Sequence, residues 1–313
     1  MPYLIPILCV LGIVFMFLLS VTLVCFFRIF YSHRSKKEED YPIPEGEIYE
    51  EHRDNMIKWI DEANAKCPRE VEIVSRDGLT LRGKYYEKKK GLPIEILFHG
   101  YRGSGKRDLS GGVHRCFVLD HNALVVDHRA SGRSDGHVIT FGAKERFDCL
   151  DWVDFAIKNI DANAKIIITG ISMGAATVMT ASGDELPENV IGVLADCGYT
   201  STREIVCKVI KDLKLPPKLL YPFARLGAIV FGGFDPDSSS PIESMSRCTL
   251  PIIFFHGDAD AFVPLYMSEE NYNACASKVK RLVVTKGAGH GLCFPVNQEE
   301  YLDELDSFFK PYL

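Results

Sequence analysis

No two of the ten cysteines form a C-x-x-C pair, and no histidine cluster accompanies them. Those spacings exclude the usual zinc frameworks. Cys67, Cys116, Cys149, Cys197, Cys207, Cys248, Cys275 and Cys293 are scattered, mostly within apolar runs. They read as free, mostly buried thiols of a reducing compartment. A positive charge excess is also missing: the net charge of −6 leaves no electrostatic footprint for nucleic acid. From Tyr3 to Phe27 charge of either sign is absent. A run of that length crosses a hydrocarbon core of ~30 Å as a helix. Its start lacks Lys and Arg, and bulky Phe26, Phe27 and Phe30 stand at its end, where a cleaved leader needs a small-x-small site. The expectation is an uncleaved transmembrane anchor over 1–31. Arg28, Arg34, Lys36 and Lys37 follow the run, which places the rest of the chain on the cytoplasmic side. Glu38, Glu39 and Asp40 dilute that signal.

What is present begins with a composition of 47% hydrophobic residues in 313, ample for one packed α/β domain. Tyr41-Pro42-Ile43-Pro44-Glu45-Gly46 reads as the end of a linker over 32–46. Ile48, Met56, Ile57, Trp59 and Ile60 among charged positions predict one amphipathic helix over 47–64, a structural element packed on the main domain. Asp77-Gly78 then separates two strand-like runs, 71–74 and 79–86, as a hairpin signal. Six apolar runs follow at 94–98, 123–126, 166–168, 190–194, 252–255 and 281–284. Helical patterns at 143–159, 173–183, 266–278 and 297–310 lie between or after them. A hairpin followed by alternating strands and helices indicates one mostly parallel sheet with helices on both faces. The domain thus runs over 47–313, and about 198–250 is left over as a small helical cap insert.

In such sheets the site lies beyond the carboxyl ends of the strands. The run Lys165–Thr169 leads into Gly170-Ile171-Ser172-Met173-Gly174, a G-x-S-x-G strand-to-helix turn that holds a serine hydroxyl above the sheet edge. The pentapeptide alone is a weak signal, so the other strand ends carry the argument. His99-Gly100-Tyr101-Arg102-Gly103 ends the third strand; its turn offers the Tyr101 N–H which, with that of Met173, would form an oxyanion hole. His99 itself precedes the glycine and is given a structural role. Asp127 and His128 open a turn-rich segment that reads as scaffold. His256-Gly257-Asp258-Ala259-Asp260 ends the penultimate strand; Asp260, further along the loop, is the acid able to meet a histidine, while Asp258 braces the turn. Asp196 is a weaker candidate. Gly289-His290-Gly291 supplies a histidine on an exposed loop, free to act as general base. The order Ser172, Asp260, His290 is the chain order this arrangement requires.

With the H-G turn at His99-Gly100, the elbow, the H-G-x-x-D-x-x-V-P run from His256 to Pro264 and Gly-His at 289–290, the chain resembles an α/β-hydrolase-fold serine esterase over about 66–313. Arg129-Ala130-Ser131-Gly132-Arg133-Ser134 and Thr140–Arg146 are similar to a bacterial membrane-anchored group labelled carboxylesterase or cinnamoyl-esterase-like. Ala130 departs from the glycine that many relatives of the wider fold carry. The resemblance implies a nucleophile, acid and base at Ser172, Asp260 and His290, cleavage of a small-molecule ester or a lipid through an acyl-enzyme, and no metal or organic cofactor. A lipase or transacylase, a peptidase or amidase, and a non-catalytic binding module stay open. Substrate choice is expected from the insert, where Leu219, Leu220, Tyr221, Phe223, Leu226, Ile229, Val230 and Phe231 recur at helical spacing. That helix either covers the body, lines an acyl pocket or meets the bilayer, given Lys208, Lys211, Lys214, Lys218 and Arg225 nearby.

Overall fold

The computed structural model describes residues 3–33 and 39–313. Arg34, Lys36, Lys37 and Glu38, part of the topology reading, lie outside the described residues. The chain opens with helix α1 (Leu4–Ile29), followed by α2 (Glu47–Glu50) and α3 (Arg53–Ala65). One helix was expected over 47–64; the structure breaks it at Glu51 and His52, which lets the short first piece turn away from the second. Next come β1 (Arg69–Val74), β2 (Thr80–Tyr86), β3 (Ile94–Phe98), α4 (Gly105–Val118), β4 (Asn122–Val126) and α5 (Glu145–Asn159). Then β5 (Ile166–Ile171), α6 (Met173–Ala181) and β6 (Val190–Asp196) lead into α7 (Thr202–Asp212), α8 (Pro217–Gly232) and α9 (Pro241–Met245). The chain closes with β7 (Ile252–Gly257), α10 (Tyr266–Ala274), β8 (Lys280–Thr285), α11 (Cys293–Val296) and α12 (Gln298–Phe309).

The eight strands form one sheet in the order β1-β2-β4-β3-β5-β6-β7-β8. Pairing is antiparallel across β1–β2 and β2–β4 and parallel from β4 to β8. The fold expectation of a mostly parallel, two-sided sheet with a helical insert is what the structure has. Every residue of β3, β4 and β7 is buried, as strands covered on both faces must be. Alternation divides their side chains: Ile166 and Ile168 join a core with Trp152 and Phe254, whereas Ile167 joins Trp59, Phe255 and Phe309 on the other face.

A third core lies under the insert. Phe26 and Phe30 of the α1 end pack there with Phe141, Tyr221, Ala224 and Ala228. The first two-thirds of α1 projects away from the body with its apolar side chains exposed. By length and composition it is able to cross a membrane. Its last turn is fastened: Tyr101 Oη donates to the Ile29 carbonyl (2.6 Å), and Arg102 donates to the carbonyls of Arg28 (2.9 Å) and Tyr31 (3.0 Å). Backbone bonds from Ser32 to His137 and from Ile139 to Phe30 extend the join.

Candidate active site

The β5–α6 turn shows why its residues are what they are. Ser172 has φ 56° and ψ −114°, a region that costs a non-glycine residue of order 1–3 kcal/mol and persists where surroundings over-determine it. Those surroundings are tight. A Cβ at Gly170 would lie 2.1 Å from the Gly174 carbonyl group, and one at Gly174 2.0 Å from the Phe98 carbonyl oxygen. Only glycine fits at either position. The Ser172 N–H donates to the Asp196 carbonyl (2.8 Å), which locks the turn to the end of β6.

The Ser172 hydroxyl lies 2.9 Å from His290 Nε2, and His290 Nδ1 lies 2.7 Å from Asp260 Oδ2. An ionised carboxylate only accepts, so Nδ1 carries the proton and Nε2 is left to accept from the serine. Asp260 Oδ1 takes the N–H groups of Phe262 (2.9 Å) and Val263 (2.8 Å). Burial pushes the Asp260 carboxyl up, but hydrogen bonding by His256 and His290 outweighs it and holds the group well below the ordinary carboxylate range. His256, named in the sequence only as the start of the H-G-x-x-D run and given no role there, is fully buried beneath it. Its Nε2 donates to the Val263 carbonyl (2.8 Å) and its Nδ1 meets Ser268 Oγ (2.6 Å). It clamps the loop that carries Asp260.

The other sequence candidates occupy different places. Asp258 accepts from the Gly287 N–H (2.6 Å), bracing one loop against the next. Asp196 is bound through Oδ2 by the Tyr301 hydroxyl (2.9 Å), and burial raises its carboxyl above the ordinary range. His99 is buried, with Nε2 accepting from the His128 N–H (3.0 Å) and Nδ1 against the Gly100 carbonyl (2.7 Å). Asp127 accepts from Gly105 (2.9 Å) and Arg133 (3.0 Å) N–H groups. Ala130 has φ 58°, which explains why glycine suits that position.

The N–H groups of Tyr101 and Met173 donate to no protein acceptor among the described residues. Met173 opens α6, where backbone N–H groups are intrinsically unpaired. The Gly100 turn is held by Asp108, whose Oδ2 accepts the Gly100 N–H (3.0 Å) from the first turn of α4. No signal for α4 or Asp108 was read from the sequence, because Gly105, Gly111 and Gly112 depress its helix propensity. Gly112 is small for a reason: a Cβ there would lie 2.6 Å from Leu97.

A cavity of about 220 Å³ opens beside the serine, lined mainly by apolar groups, among them Met56, Trp59, Leu97, Leu194 and Phe294, with Ser172 and His290. No lining residue among the described residues comes from the insert, so of the three readings given for its helix the acyl-pocket one gains nothing from this cavity. The wall is supplied by the segment before β1. Pro44, Tyr49, Met56 and Trp59 line it, and the Tyr49 hydroxyl donates to the His290 carbonyl (3.1 Å). The sequence had marked that segment as purely structural. Burial, with nearby acidic groups, pushes the Tyr49 phenol up to about 12, so it stays a donor.

Cys197, Asp260 and His290 bring their ligand atoms within 4.8 Å of one another, the one such group among the described residues. Both oxygens of Asp260 and both nitrogens of His290 are already engaged. Burial also pushes the Cys197 thiol well above its ordinary range. The donor set therefore suits proton handling better than an ion.

No family model matches the chain. It is 24% identical over 237 residues to the uncharacterized protein YqkD of Bacillus subtilis, covering 75% of this chain and 77% of that one. Among solved structures it is similar to the Pyrococcus furiosus esterase Pf2001, with a TM-score of 0.66 at 22% identity, over 80% of this chain and 94% of that one. It is also similar to Est1E of Butyrivibrio proteoclasticus, solved with ferulic acid bound, with a TM-score of 0.59 at 20% identity, over 77% and 98%. The chain has the α/β-hydrolase fold.

Proposed function

We propose that this protein is a membrane-anchored serine hydrolase that cleaves carboxylic esters through an acyl-enzyme. One observation carries the reading: the unbroken chain from Asp260 through both nitrogens of His290 to the Ser172 hydroxyl, at the mouth of an apolar cavity. In this reading Nε2 of His290 takes the serine proton as Oγ attacks the ester carbonyl carbon. Asp260 holds the tautomer and stabilises the imidazolium that forms. The negative charge that develops on the carbonyl oxygen is met by the N–H groups of Tyr101 and Met173. One such donor supplies about 3 kcal/mol of barrier lowering. Collapse expels the alcohol with the proton from Nε2, and water attacks the acyl-enzyme by the same route in reverse.

The structural likeness to Pf2001, an esterase, and to Est1E, which binds ferulic acid, supports esters over amides as the substrate class. The charge-free stretch of α1 before Arg28 supports a single-pass anchor, and Arg28 in its last turn, together with the free thiols, supports a cytoplasmic catalytic domain. A lipid ester is the second reading, favoured because the end of α1 is bonded to the loop that carries Tyr101. Ser172→Ala tests the role of the serine. Turnover of a chromogenic short-chain ester should fall by about 10⁶-fold, and labelling by a fluorophosphonate should vanish. Retained turnover would remove the proposal.

A further inference from the structure

Apart from α1, large exposed apolar side chains concentrate on the insert. On α8 they are Leu219, Leu226, Ile229, Val230 and Phe231, preceded by Leu213 and Leu215 in the α7–α8 connection. With Pro222 and Phe223 they form a stripe at 219, 222, 223, 226, 229 and 230, the i, i+3, i+4, i+7 recurrence of one helix face. The opposite face is apolar too, and buried through Tyr221, Ala224, Gly227 and Ala228. A helix with two opposite apolar faces and its cations, Lys218 and Arg225, confined to one edge between them belongs inside a protein or in a membrane. Half of this one is in neither protein nor loop.

We infer that the outer face of α8 is seated in the bilayer, where the lipid-facing surface of α1 continues onto the catalytic domain. This rests on α1 being the anchor. The argument is one of depth. A core of ~30 Å takes about 20 helical residues. Counted from Leu4 that span ends at Leu23; slid to its latest charge-free position it ends at Phe27, because Arg28 follows. Either placement puts Thr22 within the hydrocarbon. Thr22 is where α8 makes contact: a Cβ at Gly227 would lie 3.0 Å from the Thr22 carbonyl oxygen and 2.9 Å from Phe26 Cβ. The Phe26 and Phe231 rings are 5.7 Å apart. The side chains that flank Gly227 and point away from the body, Leu226 and Val230, therefore sit at the level of acyl chains. The cations sort in the same sense. Arg225 is tied to Asp235 (2.6 Å) and Lys208 to Asp212 (2.6 Å). Lys211, Lys214 and Lys218 are exposed beside Leu213, Leu215 and Leu219, the pairing of apolar stem and polar head found at the headgroup level.

The test uses the full chain in vesicles of phosphatidylcholine and phosphatidylglycerol whose acyl chains carry bromine, a contact quencher of tryptophan. Leu226→Trp and Val230→Trp are compared with the parent, whose Trp59 and Trp152 are both buried in the domain. Val118→Trp, exposed at the C-terminal end of α4, is the control. More than half of the added fluorescence should be quenched at 226 and 230 and none at 118. Two sites guard against one variant failing to fold, which the thermal transition reports. Unquenched emission at both sites, in protein that resists carbonate extraction, overturns the inference while leaving the anchor intact. Emission that is shielded only at high protein-to-lipid ratio means a second copy covers the face, and overturns it as well. Loss of the protein to the carbonate wash would instead strike the anchor reading itself.

Discussion

Two clusters in this domain each join a buried carboxylate, an imidazole and a hydroxyl, and they are wired differently. In one, His290 is the middle member: Nδ1 meets Asp260 and Nε2 meets Ser172. In the other, the carboxylate is the middle member. Glu95 takes His121 Nδ1 (2.7 Å), the Thr169 hydroxyl (3.0 Å) and the Arg115 guanidinium (2.6 Å), while His121 Nε2 is buried with no partner among the described residues. Both clusters reach the same cavity, since Arg115 and Thr169 line it alongside Ser172 and His290. Position beside a pocket therefore does not separate them. Connectivity does. A proton can pass from a hydroxyl to an imidazole only if the two touch, and Thr169 touches a carboxylate already compensated by an arginine. The Glu95 cluster is a brace between β3, β5 and α4; the Asp260 cluster has the connectivity that proton transfer needs.

The contrast is sharpest if the middle members are altered in turn. Asp260→Asn keeps the shape of its cluster but reverses the tautomer of His290, so ester turnover should drop by about 10⁴-fold, far beyond its effect on stability. A drop of less than tenfold would place the acid elsewhere. Glu95→Gln should do the reverse. It leaves Arg115 buried without a counter-charge and should cost about 3 kcal/mol of unfolding free energy, measured in urea, with turnover per folded molecule preserved.

A pH series separates the clusters further. Burial pushes the Glu95 carboxyl up, yet Arg115 and His121 outweigh it and hold the group at about 2 against an ordinary 4.5. The folded carboxyl is thus the stronger acid, and the unfolded chain binds the proton first. Its contribution is full above pH 4.5 and fades as pH falls towards 2. Acid unfolding followed by circular dichroism should be shallower through that window in Glu95→Gln than in the parent. An unchanged slope would mean the brace is uncharged. The smallest effect is expected from Thr169→Val, which deletes one donor to Glu95. It should cost about 1–2 kcal/mol and leave turnover alone, whereas the hydroxyl three residues later, at Ser172, should be indispensable.

Much of this was legible in the sequence, for reasons that can be named. The central strands announce themselves because both faces of the sheet are covered there, so β-branched runs such as Ile166–Ile168 stand out, while the edge hairpin β1–β2 is marked by Asp77-Gly78. Ser172, Asp260 and His290 could be named because each follows a strand end, and the glycines that bracket Ser172 are a steric necessity. What was hidden shares one property: it depends on partners far along the chain. Glu95 sits inside an apolar run and its partners are 20, 26 and 74 positions away. Tyr49 belongs to a short helix with an ordinary amphipathic look, yet it reaches a carbonyl 241 positions on. The split between α2 and α3 has no turn residue to advertise it. The insert is ambiguous for the opposite reason: its apolar periodicity is real, but periodicity does not say what each side of a helix meets.

The fastening of α1 to the Tyr101–Arg102 turn bears on how this protein is handled and on how it has been free to change. A tether can be lengthened, swapped or clipped without consequence for what it holds. Here Phe26 and Phe30 plug a socket among Phe141, Tyr221 and Phe234, and the carbonyls at the helix end are spoken for by Tyr101 and Arg102 of the β3–α4 loop. A soluble fragment begun at residue 32 would open that socket to water and release Tyr101. One begun near Thr22 would keep both in place. The natural edge of the catalytic body thus falls inside the hydrophobic helix, two turns before its end.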